Sequence, residues 1–180
     1  MLLSIEEIEF KLNEKFSPFM GDMDDLILFK RTESIKDVEV IERKLEVIFP
    51  ADFLSFITIY NVSKFSLGPV SFGYSDEYLY FLFEANKNDV FDRWWIGNER
   101  PKGILYFAGS DPYSFLLNTI DGCVYSMTSE SSMDDFKLIA RSFDLFIRGV
   151  GTAFLKEGTA HEIEKEVGSM DEHFWKEIMY

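Results

Sequence analysis

Apolar residues recur at helical spacing on both sides of Pro50. The run before it, three or four positions apart, is Val38, Ile41, Leu45 and Ile48. The run after it is aromatic and comprises Phe53, Phe56, Ile57 and Tyr60. Pro50 suits the first turn of a helix, where its missing N–H is not needed. The pattern predicts two amphipathic helices that form a hairpin ending at Asn61.

A first helix is predicted from Ser4 to Phe16. Ser4 and Glu7 have the spacing of a capping box, and the apolar positions that follow are Ile5, Ile8, Leu12 and Phe16. We expect Ser17-Pro18 to end this helix. Ser34 and Asp37 indicate a second cap, ahead of the hairpin.

After Asn61 the apolar runs become short and are separated by Gly, Pro, Asn and Asp, which favours strands. The predicted strands are Val70 to Gly73, Tyr78 to Phe83, Gly103 to Ala108, Ser114 to Thr119 and Cys123 to Met127. Asp121-Gly122 predicts a type I′ hairpin, because both residues tolerate positive φ. The last strands therefore form an antiparallel meander.

From Phe136 the apolar spacing is helical again, and Gly149 and Gly151 are expected to close this helix. Its apolar face is Leu138, Ile139, Ser142, Phe143, Phe146 and Ile147. The acidic segment after it predicts one more amphipathic helix or two short ones, through Ile163, Val167, Phe174, Trp175 and Ile178. We therefore expect a domain at 1–154 and an acidic helical extension at 155–180.

The chain has 180 residues and a net charge of −14, yet 17% of its residues are aromatic. A disordered acidic chain has few aromatic residues, so this one is folded. The charge repels nucleic acid and anionic lipid and favours a basic partner. The acidity also has a simpler interpretation, which is that it keeps an aromatic-rich protein in solution.

The residues with reactive side chains do not form a catalytic pattern. Cys123, the one cysteine, follows a turn glycine and is interpreted as a buried, inert thiol. His161 and His173 lack ligand spacing, so we expect no metal and no cofactor. Because no catalytic pattern is present, we expect a protein that is not an enzyme. The sequence shows neither the basic region of a signal peptide nor an apolar run of membrane-spanning length, so we expect the protein in the cytoplasm.

Two acidic clusters are candidates for binding a basic partner. The first contains Asp76, Glu77, Glu84, Asp89 and Asp92 and is followed by Trp94, the candidate aromatic contact. Adjacent residues of a strand point to opposite faces, so one of Trp94 and Trp95 is expected in the core. The second cluster contains Glu130, Asp134 and Asp135, and its alternative interpretation is a helix N-cap at Ser132 or Asp134.

Several segments, taken in order, resemble the SUKH superfamily, which includes the Smi/Knr-type cell-wall regulators and many bacterial immunity proteins. These segments are the hairpin pattern IxxxLExxFPxDFxxFxxxYN, the Trp94-Trp95-Ile96-Gly97 step, GILYFA, FLLNTIDGCVY and IARSFDLFIRG. The resemblance extends from Ser34 to Phe154. It implies an α+β domain with a central, mostly antiparallel sheet packed by N-terminal helices and a C-terminal helix.

The resemblance also implies a function. In bacteria this family most often binds and neutralises a protein toxin, so we expect an immunity protein whose partner is a basic, nucleic-acid-targeting toxin. The alternative is a regulatory scaffold of the Smi/Knr type. We expect a monomer or a weak homodimer, with no direct contact to nucleic acid or membrane.

Overall fold

The computed structural model describes residues 1–87, 100–128 and 136–179. In these ranges the helices are α1 (Ile5–Phe16), α2 (Val38–Leu45), α3 (Ala51–Ile59), α4 (Tyr78–Ala85), α5 (Phe143–Phe154), α6 (Ala160–Val167) and α7 (Glu172–Ile178). The strands are β1 (Ser66–Leu67), β2 (Val70–Ser71), β3 (Ile104–Ser110), β4 (Tyr113–Asn118), β5 (Val124–Thr128) and β6 (Lys137–Ala140). They form one antiparallel sheet in sequence order, which confirms the predicted α+β class.

Helix α1 has the predicted capping box. The Glu7 N–H donates to Ser4 Oγ at 3.1 Å, and the Ser4 N–H donates to Glu7 Oε2 at 2.7 Å. The two side chains thus satisfy two backbone donors that a helix start leaves unpaired. The α-helix ends at Phe16, as predicted, and a 3₁₀ turn follows at Ser17–Phe19.

Helix α2 is shorter than its apolar pattern predicts. Ile41 and Leu45 are buried, but Glu46 adopts a φ of 54° and ends the helix. The chain then runs extended, so side chains alternate and Val47 and Phe49 point inward. Ile48, predicted on the buried stripe, is 80% exposed. Only Asp37 of the predicted cap pair occupies the N-cap position, and its side chain makes no capping bond.

Helix α3 buries the predicted aromatic face. Phe53, Phe56, Ile57 and Tyr60 are all at most 3% exposed. The Phe53 ring centroid lies 5.0 Å from that of Phe143 and 6.2 Å from that of Phe107, both in edge-to-face geometry. The predicted hairpin is loose, because α2 packs mainly on α4 while α3 packs on α5.

The segment Tyr78–Phe83, predicted as a strand, is the first part of helix α4. Its almost uninterrupted apolar sequence fits either structure, because periodicity cannot separate the two in a short run. Tyr78, Leu79 and Leu82 share one helical face and are buried, whereas Tyr80 is 60% exposed. The Tyr78 hydroxyl donates to the Phe107 carbonyl at 2.9 Å and ties α4 to the sheet.

Asn86, directly after α4, completes the outer edge of β3. Strand β2 pairs with β3 only at Gly109, and no other strand in the described ranges pairs with the earlier part of that edge. There the Tyr106 N–H donates to Asn86 Oδ1 at 2.8 Å, and Asn86 Nδ2 donates to the Tyr106 carbonyl at 2.8 Å. An amide side chain therefore replaces a neighbouring strand and positions the end of α4.

The β4–β5 hairpin is confirmed, but its turn is not type I′. Gly122 has a φ of 78°, whereas Asp121 does not adopt positive φ. Five residues, 119–123, separate the strands, and the Gly122 N–H donates to the Asn118 carbonyl at 2.8 Å. Asp121 instead accepts the Cys123 N–H through Oδ1 at 2.8 Å. The short side chain of Asp121 therefore stabilises the turn although its own backbone is not left-handed.

Residues 137–140, predicted as helix, form strand β6, and helix α5 begins only at Phe143. Two side chains cap its start: Ser142 Oγ accepts the Leu145 N–H at 3.1 Å, and Asp52 Oδ2 accepts the Asp144 N–H at 3.0 Å. These bonds fix where the helix starts. Residues 137–140 instead supply the backbone that pairs with β5.

The glycines expected to close α5 lie within it. A Cβ on Gly149 would lie 2.7 Å from Trp175 Cη2, and a Cβ on Gly151 would collide with the Ile8 side chain. These positions require glycine because α1 and α7 approach the helix closely there. The helix continues to Phe154.

The segment after α5 forms two short helices, the second of the two predicted alternatives. Its predicted apolar residues are all buried: Ile163, Val167, Phe174, Trp175 and Ile178. The loop between α6 and α7 covers the outer edge of β6, where the Met170 N–H donates to the Leu138 carbonyl at 2.9 Å. No helix in the described ranges is long and apolar enough to span a membrane.

Candidate interaction surface

Helix α4 exposes a face of acidic and aromatic residues opposite its buried side. We define the α4 face as Tyr74, Asp76, Glu77, Tyr80 and Glu84. Glu77, Tyr80 and Glu84 are three and four positions apart, so they share one side of the helix. Tyr74 is 86% exposed, and its ring lies 5.9 Å from that of Phe81 in edge-to-face contact.

Nearby lysines neutralise part of the charge on the α4 face. Asp76 pairs with Lys64, and Glu84 pairs with Lys87 at 2.5 Å. Glu77 forms no ion pair within the described residues. Burial lowers the pKa of Arg31, and the negative charge of Glu77 opposes this shift. Since exposed ion pairs contribute little stability, a partner's cations can displace these lysines at low cost.

The other predicted site residues lie outside the described residues. In the first cluster these are Asp89, Asp92 and Trp94, and in the second they are Glu130, Asp134 and Asp135. Trp95 and Ser132 lie there as well. The structure brings together only Asp76, Glu77 and Glu84, because all three lie on or beside α4.

A groove of about 520 Å³ lies on the surface along the contact between α2 and α4. We call it the α2–α4 groove. Ile41 and Leu79 line its apolar part, and Val40 and Tyr80, which are 39% and 60% exposed, flank it. Its charged lining residues have both signs and are Arg31, Glu33, Lys36, Asp37, Lys44 and Glu77. This mixture suits an extended polar segment with apolar anchors better than a uniformly basic surface.

A second cleft of about 500 Å³ borders α4 on the side of the sheet. Its aromatic lining residues are Tyr74, Phe81, Tyr106 and Tyr113. The Tyr113 hydroxyl donates to a carboxylate oxygen of Glu177 on α7. Desolvation of this hydroxyl and its bond to Glu177 raise the Tyr113 pKa, so the group stays protonated as a donor.

Sequence reasoning missed α4 as the centre of this surface because it interpreted the segment as a strand. In a strand, Tyr78 and Tyr80 share one face, whereas in the helix Tyr78 is buried and Tyr80 is exposed. The four-residue step from Tyr78 to Leu82 was the available signal for a helix.

The reactive residues outside this surface are weakly placed for chemistry. His161, Glu164 and Glu172 bring one ligand atom each within 4.8 Å of one another, but His161 is exposed and Glu172 is paired with Lys176 at 3.0 Å. Cys123 lies just before β5 and is half-buried. Burial, together with nearby Asp121, raises the pKa of its thiol, which disfavours the nucleophilic thiolate.

Comparison with known proteins places the chain in a family. No curated protein matches the sequence. The model of the SMI1 / KNR4 family (SUKH-1) matches residues 32–149, about two thirds of the chain. This range contains α2, α3, α4, the whole sheet and the first half of α5, whereas α1, α6 and α7 lie outside it. The chain therefore belongs to the SMI1 / KNR4 family (SUKH-1), as its motifs predicted.

Proposed function

We propose that this protein is a bacterial immunity protein that binds a cognate toxin domain and blocks it by occlusion, without catalysis or a cofactor. The single observation that carries this proposal is the α4 face, where two exposed tyrosines stand among three carboxylates. Family membership supports a domain of this kind.

The chemistry of the α4 face suits tight binding to a basic protein. Tyrosine is enriched among residues that dominate binding energy, because its ring offers a large contact area with few rotatable bonds. Surrounding carboxylates steer a basic partner toward the ring and disfavour acidic ones. The net charge of −14 extends this attraction over longer distances.

Growth rescue tests the proposal. A toxin-like C-terminal domain encoded beside this protein is expressed alone and together with it, and both growth and co-purification are recorded. We expect the protein to restore growth and to form a stable complex with a Kd in the nanomolar class or below. Failure of rescue with every such neighbouring domain would refute the immunity function.

Paired variants locate the interface. Tyr80→Ala and Glu77→Lys should weaken binding at least tenfold, which corresponds to about 1.4 kcal/mol each. Their matched controls are Phe10→Ala and Glu14→Lys, which change exposed residues of the same types on α1. Equal losses in the control variants would show that α4 is not the docking element.

The salt dependence of association tests electrostatic steering. The association rate should fall steeply as ionic strength rises, because exposed charges are screened over about 8 Å at physiological salt. Stopped-flow mixing with the purified toxin domain at several salt concentrations measures this rate. A rate that does not change with salt would exclude steering by the acidic surface.

A second function, the regulatory scaffold, is favoured by the α2–α4 groove. Charges of both signs beside an apolar strip fit short segments from several proteins rather than one basic toxin. A scaffold should bind several partners with micromolar affinity, whereas an immunity protein should bind one partner far more tightly. Val40→Asp should then abolish capture of these partners, while toxin binding through Tyr80 should persist.

A further inference from the structure

Four cations converge on one pocket of this strongly acidic protein. We define the basic pocket by Lys44 at the end of α2, Lys87 after α4, and Arg100 and Lys102 before β3. The pocket has a volume of about 520 Å³ and also contains Glu46 and the Phe83 ring. On a chain with 18 cations and 32 acidic residues, such a concentration of positive charge is opposite to the overall composition.

Arg100 is held rigidly at the inner side of the pocket. Its Nη1 donates to the Ile104 carbonyl at 2.9 Å, and its Nη2 donates to the Leu45 carbonyl. Its Nε is buried and has no hydrogen-bond partner. Neutral carbonyls satisfy part of its donor capacity, and no described carboxylate forms an ion pair with it, although the nearby Glu46 charge opposes the lowering of the Arg100 pKa that burial causes.

The lysines extend this positive charge toward solvent. The Nζ atoms of Lys44 and Lys87 lie 5.0 Å and 4.9 Å from the centroid of the Phe83 ring. Glu84 neutralises Lys87, so Lys87 adds little net charge. Lys44 and Lys102 form no ion pair with a carboxylate in the ranges that the structure describes.

The charge balance of the pocket defines the class of ligand. Among the lining residues that the structure describes, Lys44, Arg100 and Lys102 accompany one carboxylate, Glu46, which gives a net charge of two positive units once the Lys87–Glu84 pair is set aside. A phosphate monoester has a charge of about −1.5 to −2 at pH 7, whereas a carboxylate has only −1. Arginine and lysine are also the side chains that bind phosphate oxygens best.

We infer that the basic pocket binds a phosphate monoester, with the Arg100 guanidinium at its base and the ammonium groups of Lys44 and Lys102 at its entrance. The volume lies within the range of small-molecule sites, about 300–1,000 Å³. The ligand is a phosphorylated small molecule or a phosphorylated side chain of a partner. The basic pocket and the α4 face have no residue in common, although the ion pair between Lys87 and Glu84 joins them, so each proposal is tested with its own variants.

Titration of the full chain with inorganic phosphate tests this inference. Backbone amide signals in ¹⁵N correlation spectra are followed at constant ionic strength and pH 7.5, with sodium acetate in a parallel titration. The amides of Glu46, Lys87 and Gly103 should shift and saturate with phosphate but not with acetate. Phenyl phosphate and a phosphoserine peptide then distinguish the two sources, because the physiological one should bind more tightly than inorganic phosphate.

Charge reversal provides the control. Lys44 and Lys102 are exposed, so the double variant Lys44→Glu/Lys102→Glu should remain folded, which an unchanged melting temperature verifies. We expect it to weaken phosphate binding at least tenfold, whereas the exposed Lys165→Glu on α6 should leave binding unchanged. Equal shifts with acetate, no saturation with phosphate, or equal loss in both variants would overturn the inference and leave these cations as caps of the helix C-termini.

Discussion

Trp175 allows a quantitative test of how α7 contributes to stability. Its side chain lies on α7, is fully buried and faces α5. The centroid of its ring lies 5.0 Å from that of Phe174. The Trp175 Cη2 atom lies 2.7 Å from the position that a Cβ on Gly149 would take. Trp175→Ala removes this contact while it retains the backbone of α7, so the change isolates the packing of the tail against the family domain.

The expected loss of stability combines two opposing effects. Truncation of a buried aromatic residue to alanine costs about 3–5 kcal/mol through lost burial and the cavity that remains. The Trp175 Nε1 is buried without a hydrogen-bond partner, and such a group already destabilises the native protein by about 1–3 kcal/mol. Alanine removes that penalty as well, so we expect a net loss of about 2–3 kcal/mol. Trp175→Phe keeps most of the ring and also removes the unpaired N–H, and it should cost about 1 kcal/mol or less.

Urea unfolding of the three proteins, followed by circular dichroism, measures these differences. The alanine variant should also melt about 4–12 °C lower, because a protein of this size loses about 2–4 °C per kcal/mol. His173→Ala, an exposed position on the same helix, serves as the control and should change the free energy of unfolding by less than about 0.5 kcal/mol. If Trp175→Ala matched this control, or if Trp175→Phe cost as much as alanine, the reasoning would be refuted.

Three further predictions concern the core and the sheet. Asn86→Ala should lower the free energy of unfolding by about 2–3 kcal/mol in urea denaturation, because the backbone N–H and carbonyl of Tyr106 lose their partners. Gly149→Ala should destabilise by about 1–3 kcal/mol despite alanine's helix propensity, whereas Gly158→Ala, where a Cβ meets only ordinary contacts, should not. Complete burial raises the pKa of Tyr78 well above 10, so the folded state keeps a proton that the unfolded state releases there. Unfolding free energies should therefore fall as the pH rises from 9 to 11, and Tyr78→Phe should remove about 1.4 kcal/mol of that fall over the whole range, because the unfolded tyrosine ionises near pH 10.

Local sequence patterns were sufficient to predict a helix where short-range interactions within that helix define it. The capping box at Ser4 and Glu7 located the start of α1, and the aromatic spacing from Phe53 to Tyr60 identified the buried face of α3. These predictions succeeded because the determining contacts lie within one or two helical turns. The order of the motifs identified the family for the same reason, since each motif is a local pattern.

The errors occurred where distant residues determine the structure. Tyr78–Phe83 forms a helix because Asn86 and the Tyr78 hydroxyl bind β3, at residues that are 20 and 29 positions away in sequence. Gly149 closes no helix, because α7 packs against it. In each case the conformation depends on a contact with a distant residue, which the spacing of apolar residues along the chain does not reveal.

The candidate surface shows the same division. The sequence by itself determined an acidic, aromatic-rich α+β protein of the SUKH type and supplied Asp76, Glu77 and Glu84 as candidate residues. Only the tertiary structure placed Tyr80 beside these acids and assembled the basic pocket from three separate segments. Composition and short periods are properties of the chain itself, whereas a surface is formed by residues that only long-range packing brings together.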